Sequence, residues 1–323
     1  PPQNEIWDYL HRVAVKYSLV EKMTFGTNVE KCEWIPSKKR WRLSVRHLNT
    51  DNVFEHECRF LFAAAGQLVT PRPLDVPGQE SFKGQIFHSA KWNTDVDLKN
   101  KNVVLIGNGC TAAQIVPSIV ADTKHLTQMI RSKHWILPSI DSAYPKILTR
   151  IFSYIPAAKA FERFIVFLVA ENELRGLPMT KAAAKFRQRR RVKAETYMRE
   201  AAPKKYHDLM IPDFEVGCKR RIFDSGYLKS THAENFELTN QPAKEILPEG
   251  IRTKDGIIPA DVIILANGYL TNTFLHNIEV VGTKETLKEH WDGFGGAEAY
   301  NCSAMSGFPN FFILLGEYPR EYV

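Results

Sequence analysis

Gly107-Asn108-Gly109-Cys110-Thr111-Ala112 follows directly on Val103-Val104-Leu105-Ile106, and an apolar pattern resumes at Ile115, Val116, Ile119 and Val120. A short β-branched run, a glycine turn and a helical period in succession read as strand, turn and helix. The glycines let the backbone turn sharply and come close to a ligand. The helix N-terminus then offers unpaired N–H groups and a positive dipole end to a pyrophosphate. The chemistry indicated is dinucleotide binding, with Gly107, Asn108, Gly109, Thr111 and Ala112 as candidate contacts. An ordinary glycine turn is the competing reading, because Gly-x-Gly-x-x-Ala alone is a weak signal. The next strand, Leu126 to Ile130, ends in Arg131 with Lys133 close by. NAD-selective units usually carry Asp or Glu there, whereas an Arg favours the extra phosphate of NADP. A solvated strand-end charge is the alternative for Arg131.

A second basic site lies at Val216-Gly217-Cys218-Lys219-Arg220-Arg221, followed by Asp224-Ser225-Gly226-Tyr227. By itself it says only that an anion is near, and an ordinary basic surface loop competes. Two apolar strands end in small residues, at Ala63-Ala64-Ala65-Gly66 and at Ala266-Asn267-Gly268. Small side chains there allow close backbone approach, and a cofactor is the expected partner. Upstream of the glycine turn stands Phe82-x-Gly84-x-x-x-His88-x-x-x-Trp92-Asn93. Taken residue by residue, His88 reads as a buried structural histidine and Trp92 as a core residue.

The spacing of Phe82, Gly84, His88 and Trp92 resembles the fingerprint of the flavin-dependent Baeyer–Villiger monooxygenases. Flavin monooxygenases that oxygenate nitrogen and sulfur share the Phe, Gly and His but usually have Tyr in place of Trp92. The resemblance implies that these four residues form a linker coupling NADP position to flavin chemistry. It implies FAD and NADP as cofactors, O2 as co-substrate, and conversion of a ketone to an ester or lactone. By the same resemblance Lys219 binds NADP and Arg220 is catalytic, while Gly66, Asn267 and Gly268 lie against the flavin. An arginine suits that role because it stays protonated and stabilises developing negative charge. Ala65 and Asn267 replace the family's threonines, and Glu317, after Leu314-Leu315-Gly316, replaces a proline. The family's N-terminal FAD-binding glycine turn is not present, and the chain starts with Pro1. It therefore reads as the middle of a larger enzyme or as a shortened paralogue. An N- or S-oxygenating enzyme and a non-catalytic NADP-binding protein stay open as alternatives.

The elements that must position these residues follow from composition and pattern. With 323 residues the chain is long enough for two domains and a large core. The +7 charge suits an anionic ligand and is too mild to argue for nucleic acid. Five cysteines without a C-x-x-C pair argue against a zinc site or redox dithiol and indicate a reducing, cytoplasmic setting. Glu5 to Tyr17 reads as a helix, and Phe25–Trp34, Trp41–Leu48 and Cys58–Ala65 read as strands. Helical spacing dominates between Ser132 and Phe214. There Phe164 to Ala170 is too short to span a membrane and reads as a core helix, with an interfacial amphipathic helix as the alternative. Lys181 to Lys193 reads as a solvated basic helix face. The expected fold is α/β, with two Rossmann-like nucleotide-binding domains. An NADP domain at 92–225, with a helical insertion at about 140–214, interrupts a discontinuous FAD-type domain at 1–91 and 226–323.

Overall fold

The computed structural model describes residues 2–140, 144–271, 274–275 and 277–314. Helix α1 (Gln3–Lys16) buries no residue, and Ile6 and Leu10 are exposed. Strands β1 (Thr27–Ile35) and β2 (Arg40–His47) pair antiparallel, with Trp34 opposite Trp41. Their turn closes at Lys39, which adopts a left-handed φ of 50°. Strand β3 (Val53–Cys58) continues the meander, and β4 (Leu61–Ala63) follows after a break. The single strand expected over Cys58–Ala65 is thus the end of one and the whole of another. β3 is solvated on both sides, so no apolar alternation announces it, and only its pairing with β2 defines it.

Strand β5 (Gln85–His88) opens a parallel sheet that continues with β6 (Asn102–Ile106), helix α2 (Cys110–Ile119) and β7 (His125–Met129). The short strand β8 (Ile136–Leu137) leads into three helices, α3 (Lys146–Tyr154), α4 (Pro156–Leu174) and α5 (Lys181–Ala201). Pro156 starts α4 because its fixed φ and missing N–H suit a first helical position. The core-helix expectation fails for α4, which buries no residue; Phe164, Val166 and Phe167 are more than half exposed. Lys159, Glu162, Arg163 and Glu171 interrupt its apolar residues. α4 is tied instead at its end, where Glu173 pairs with Arg190 and Arg221. The basic run lies on α5 and is only partly solvated. Arg187 donates to the carbonyls of Gly176 and Pro178 at 2.8 and 3.0 Å, while Ala183, Ala194 and Met198 are buried. Among the described residues no helix is long and apolar enough to cross a membrane.

The chain returns through α6 (His207–Met210), β9 (Ile222–Phe223), α7 (Tyr227–Ser230) and β10 (Phe236–Thr239). A small antiparallel meander of β11 (Glu245–Leu247), β12 (Gly250–Arg252) and β13 (Ile257–Pro259) precedes β14 (Val262–Leu265). The five-stranded sheet has the order β10-β7-β6-β14-β5, with every pair parallel. Val103, Leu105, Leu126, Val262 and Ile264 fill one face with Ala112, Val116 and Ile119 of α2.

Finally β15 (Glu279–Val281), α8 (Leu287–Gly293) and β16 (Phe311–Ile313) pack with the N-terminal meander. β15 joins β1 in a four-stranded sheet and β16 pairs with β4. Trp41 is fully buried there and donates its indole N–H to the Pro309 carbonyl at 2.8 Å. The chain divides into two compact units, one of Pro1–Thr70 with Tyr269–Val323 and one of Pro71–Gly268. The boundaries expected near 91 and 226 fall inside the second unit. Val262 pairs with both Gln85 and Val103, so one sheet draws in strands from both sides of the expected nucleotide domain.

Candidate functional site

The glycine turn joins β6 to α2 as the strand–turn–helix pattern requires. Gly107 has a φ of +126°, and a Cβ on it would stand 2.2 Å from the Ala266 carbonyl oxygen. β7 holds both of its backbone polar groups. Its N–H donates to Met129 O at 2.9 Å, and its carbonyl accepts from Gln128 Nε2 at 2.8 Å. Gly109 caps α2 without a side chain, and a Cβ there would meet nothing within 4 Å. Open space at a helix N-terminus fits a pyrophosphate, and Thr111 is exposed in that first turn. Ala112 does not fit the contact role expected of it. It is fully buried in the sheet-facing core, where a small side chain permits close helix–strand packing.

The side chain of Asn108 donates to the carbonyl of Ser132, tying the turn to the segment after β7. Arg131 is exposed one residue before that anchor. Two residues after it, the His134 imidazole donates to the backbone of Arg220. Burial holds the His134 imidazole below its usual range, the Lys219 ammonium adds to this, and the Arg220 bond works against it. β8 and β9 then pair in parallel, with Ile222 N–H donating to Trp135 O at 3.0 Å. The glycine turn and the basic loop thus meet at the carboxyl end of one sheet. Asn108, Ile130, His134 and Tyr227 enclose only about 10 Å³ between them. Lys219 lies over the Phe214 ring at 5.1 Å. Among the described residues Arg131, Lys133, Lys219 and Arg220 form no ion pair with a carboxylate, whereas Arg221 binds Glu173 at 2.8 Å. Four cations without carboxylate partners around an open helix N-terminus suit a ligand with several phosphates.

Sequence reasoning gave no role to Asp224, Tyr197, Tyr227, Gln128 or His134 of this cluster. Asp224 is buried, and its Oδ1 accepts from the N–H groups of Gly226 and Tyr227 at 3.0 and 2.7 Å. Its Oδ2 accepts from the Tyr197 hydroxyl at 2.8 Å. The Tyr227 hydroxyl donates to Gln128 Oε1 at 2.7 Å. The available signal was Gln128 itself, a primary amide within the otherwise strand-like Leu126–Ile130. His134 carried no comparable signal.

The Phe82–Trp92 segment belongs to the same unit. Gly84 admits no side chain, since a Cβ would stand 2.1 Å from the Asp261 carbonyl oxygen. His88 is buried; its Nδ1 accepts from Ala90 N–H at 3.0 Å, so the ring hydrogen sits on Nε2 and bonds Gly268 O at 2.9 Å. That arrangement is structural, linking β5 to the end of β14. Trp92 is partly exposed and meets Phe87 edge-on at 5.2 Å, rather than lying in the core. Phe82, Gly84 and His88 line an open groove of about 530 Å³ with Pro73 and Leu74. Asn267 donates to the carbonyls of Arg72 and Pro73 at 3.2 and 3.3 Å, and its Oδ1 is buried without a partner. Gly66, with a φ of +78° and open space around it, lies in the other unit. Gly316 and Glu317 lie outside the described residues. No metal-binding cluster occurs among the described residues.

The chain is similar to several known proteins. An FAD-binding monooxygenase of Aspergillus niger is 30% identical over 327 residues, covering 98% of this chain and 53% of the relative. A Baeyer–Villiger monooxygenase of Streptomyces coelicolor is 28% identical over 317 residues, covering 97% of this chain and 59% of the relative. The chain therefore spans little more than half the length of these relatives. The crystal structure of OTEMO with FAD and NADP matches at a TM-score of 0.82 and 25% identity, covering 98% of this chain and 65% of that one. An open structure of cyclohexanone monooxygenase matches at 0.79 and 21% identity, over 97% and 67%, and so shares the fold. The model of the flavin-binding monooxygenase-like family matches residues 2–191, more than half of the 323, and the chain belongs to that family.

Proposed function

We propose that this chain carries the NADP-binding part, and portions of the FAD-type part, of an NADPH- and O2-dependent monooxygenase converting a ketone to an ester or lactone. The observation that carries the reading is the meeting of the Gly107–Gly109 turn with the Lys219–Arg220 loop, through Asn108, Ser132 and His134. The pyrophosphate of NADPH sits on the N-terminus of α2, and Arg131 with Lys133 takes the 2′-phosphate. Lys219 neutralises a further phosphate. Arg220, exposed beside the turn, stabilises negative charge where oxygen transfer takes place. NADPH is oxidised; one atom of O2 enters the product and the other leaves as water. Bound FAD supplies the oxygen-activating chemistry, and Gly66, Asn267 and Gly268 are the residues of this chain assigned to it. The buried, unpartnered Oδ1 of Asn267 fits such a group as an acceptor awaiting a donor. Trp92 in place of tyrosine favours the ketone reaction over oxygenation of nitrogen or sulfur.

Titration of the purified chain with NADP and with NAD, followed by tryptophan fluorescence, tests the nucleotide part. NADP should bind at least tenfold more tightly, a preference of about 1.4 kcal/mol, and Arg131→Ala should abolish it. Equal affinity for the two nucleotides overturns the assignment. For the flavin part, FAD reconstitution should give flavin absorbance bands and NADPH oxidation that ketones accelerate more than amines or sulfides.

A further inference from the structure

Gln128 is a primary amide on an interior strand of a parallel sheet, with no exposed surface. A buried polar side chain is retained at such a position only when its hydrogen bonds are met. Here they are met by two specific partners. The Tyr227 hydroxyl donates to Oε1, which leaves Nε2 to donate to the carbonyl of Gly107. The amide orientation is therefore set by Tyr227, itself buried and aligned where Asp224 caps α7. Asp224 is held in turn by Tyr197 of α5. The peptide joining Gly107 to Asn108 is trans and planar, so its carbonyl and N–H point in opposite directions. A carbonyl drawn inward by Gln128 sends the Asn108 N–H outward, toward the open space at the start of α2.

We propose that Gln128 is a positioning residue for the nucleotide turn, with its amide oriented by Tyr227 and Asp224, aiming the Asn108 N–H at the pyrophosphate of the bound dinucleotide. The inference rests on the turn binding NADP and adds a purpose for the Asp-Ser-Gly-Tyr stretch. That stretch follows the basic loop in sequence, and through Gln128 it braces the turn that the loop faces. None of the relay's hydrogen bonds includes Arg131, so the two parts of the nucleotide should respond separately to its loss.

The test measures NADP and adenosine 2′-monophosphate binding to the purified chain and to Gln128→Leu, Gln128→Glu and Tyr227→Phe. Adenosine 2′-monophosphate carries the phosphate assigned to Arg131 but no pyrophosphate. Gln128→Leu should weaken NADP at least tenfold and leave adenosine 2′-monophosphate within twofold of the parent. Gln128→Glu keeps an acceptor for Tyr227 but has no N–H to donate to the Gly107 carbonyl, and should behave alike. Tyr227→Phe should show the same split in smaller degree. Equal loss of both ligands marks a general structural role and overturns the proposal, as does unchanged NADP affinity. If Gln128→Leu does not fold, the split in Tyr227→Phe decides, and its absence counts against the proposal. Failure of the parent chain to bind NADP removes the reading of the turn itself, a result distinct from these.

Discussion

Two glycines of one turn should respond oppositely to a single added methyl group. In Gly107→Ala the new Cβ would stand 2.2 Å from the Ala266 carbonyl oxygen and 2.7 Å from its carbon, at a φ of +126°. Both neighbouring atoms are backbone at the end of β14, beside β6, so no flexible side chain can move aside. Forcing extra volume into a packed site costs about 1–3 kcal/mol, and the unfavourable backbone conformation adds about 1–2 kcal/mol. The total of about 2–5 kcal/mol is a large share of the ~5–15 kcal/mol that holds a domain folded. At about 2–4 °C per kcal/mol the melting temperature should fall by roughly 10 °C. Gly109→Ala differs, because its φ is −75° and its Cβ would meet nothing within 4 Å. As an N-cap change from glycine to alanine it should cost roughly 0.5–1 kcal/mol, about 1–4 °C. Its methyl group would instead occupy the space assigned to the pyrophosphate, weakening NADP by about tenfold or more. Thermal unfolding by circular dichroism and NADP titration of both variants read the two effects. Unchanged stability in Gly107→Ala would refute the steric argument. Unchanged NADP affinity in Gly109→Ala would refute the placement of the ligand.

Replacing Arg220 by alanine in an FAD-reconstituted preparation should lower ketone turnover by about 10²–10³-fold, as for loss of one preorganised charge stabiliser; steady-state kinetics showing an unaltered rate would remove its catalytic assignment. Burial, and then the hydrogen bond to Asp224, pushes the Tyr197 phenol up to about 12. A phenol with a raised folded pKa contributes stability that is present below about pH 10 and is lost as the pH rises toward about 12. Denaturation between pH 9 and 12 should therefore show alkaline weakening that Tyr197→Phe reduces, and identical profiles would contradict the linkage. Burial, with Cys58 nearby, raises the Cys32 thiol to about 12, whereas Cys218 is exposed beside Lys219. A thiol reagent on the native chain should label Cys218 and spare Cys32 until unfolding, with NADP slowing the reaction at Cys218; peptide mapping that finds Cys32 labelled first would oppose this.

Legibility in the sequence followed the range of the interactions. The strand, glycine turn and helix around Gly107 lie within about twenty consecutive residues and show in local pattern. The β1–β2 hairpin is equally local. By contrast β14 reads in sequence only as a buried strand, and nothing in Val262-Ile263-Ile264-Leu265 says which sheet receives it. Its pairing with β5 and β6 draws it into the sheet that carries the glycine turn. The apolar run of α4 suggested a core helix because hydrophobicity reports a preference for burial without naming a partner. Trp92 was placed in the core for the same reason, yet it is partly exposed.

By itself the sequence determined that a glycine turn joins a strand to a helix, that an arginine follows the next strand, and that the Phe82–Trp92 spacing marks a flavin monooxygenase lineage. These are properties of residue types at short, fixed separations. Only the tertiary structure decided that His134 meets the basic loop, that Ala112 is packing rather than contact, and that Tyr227 reaches Gln128 across 99 positions. The physical reason is that a buried hydrogen bond selects its partner by geometry. Residue type states that a partner is needed, and chain topology supplies it.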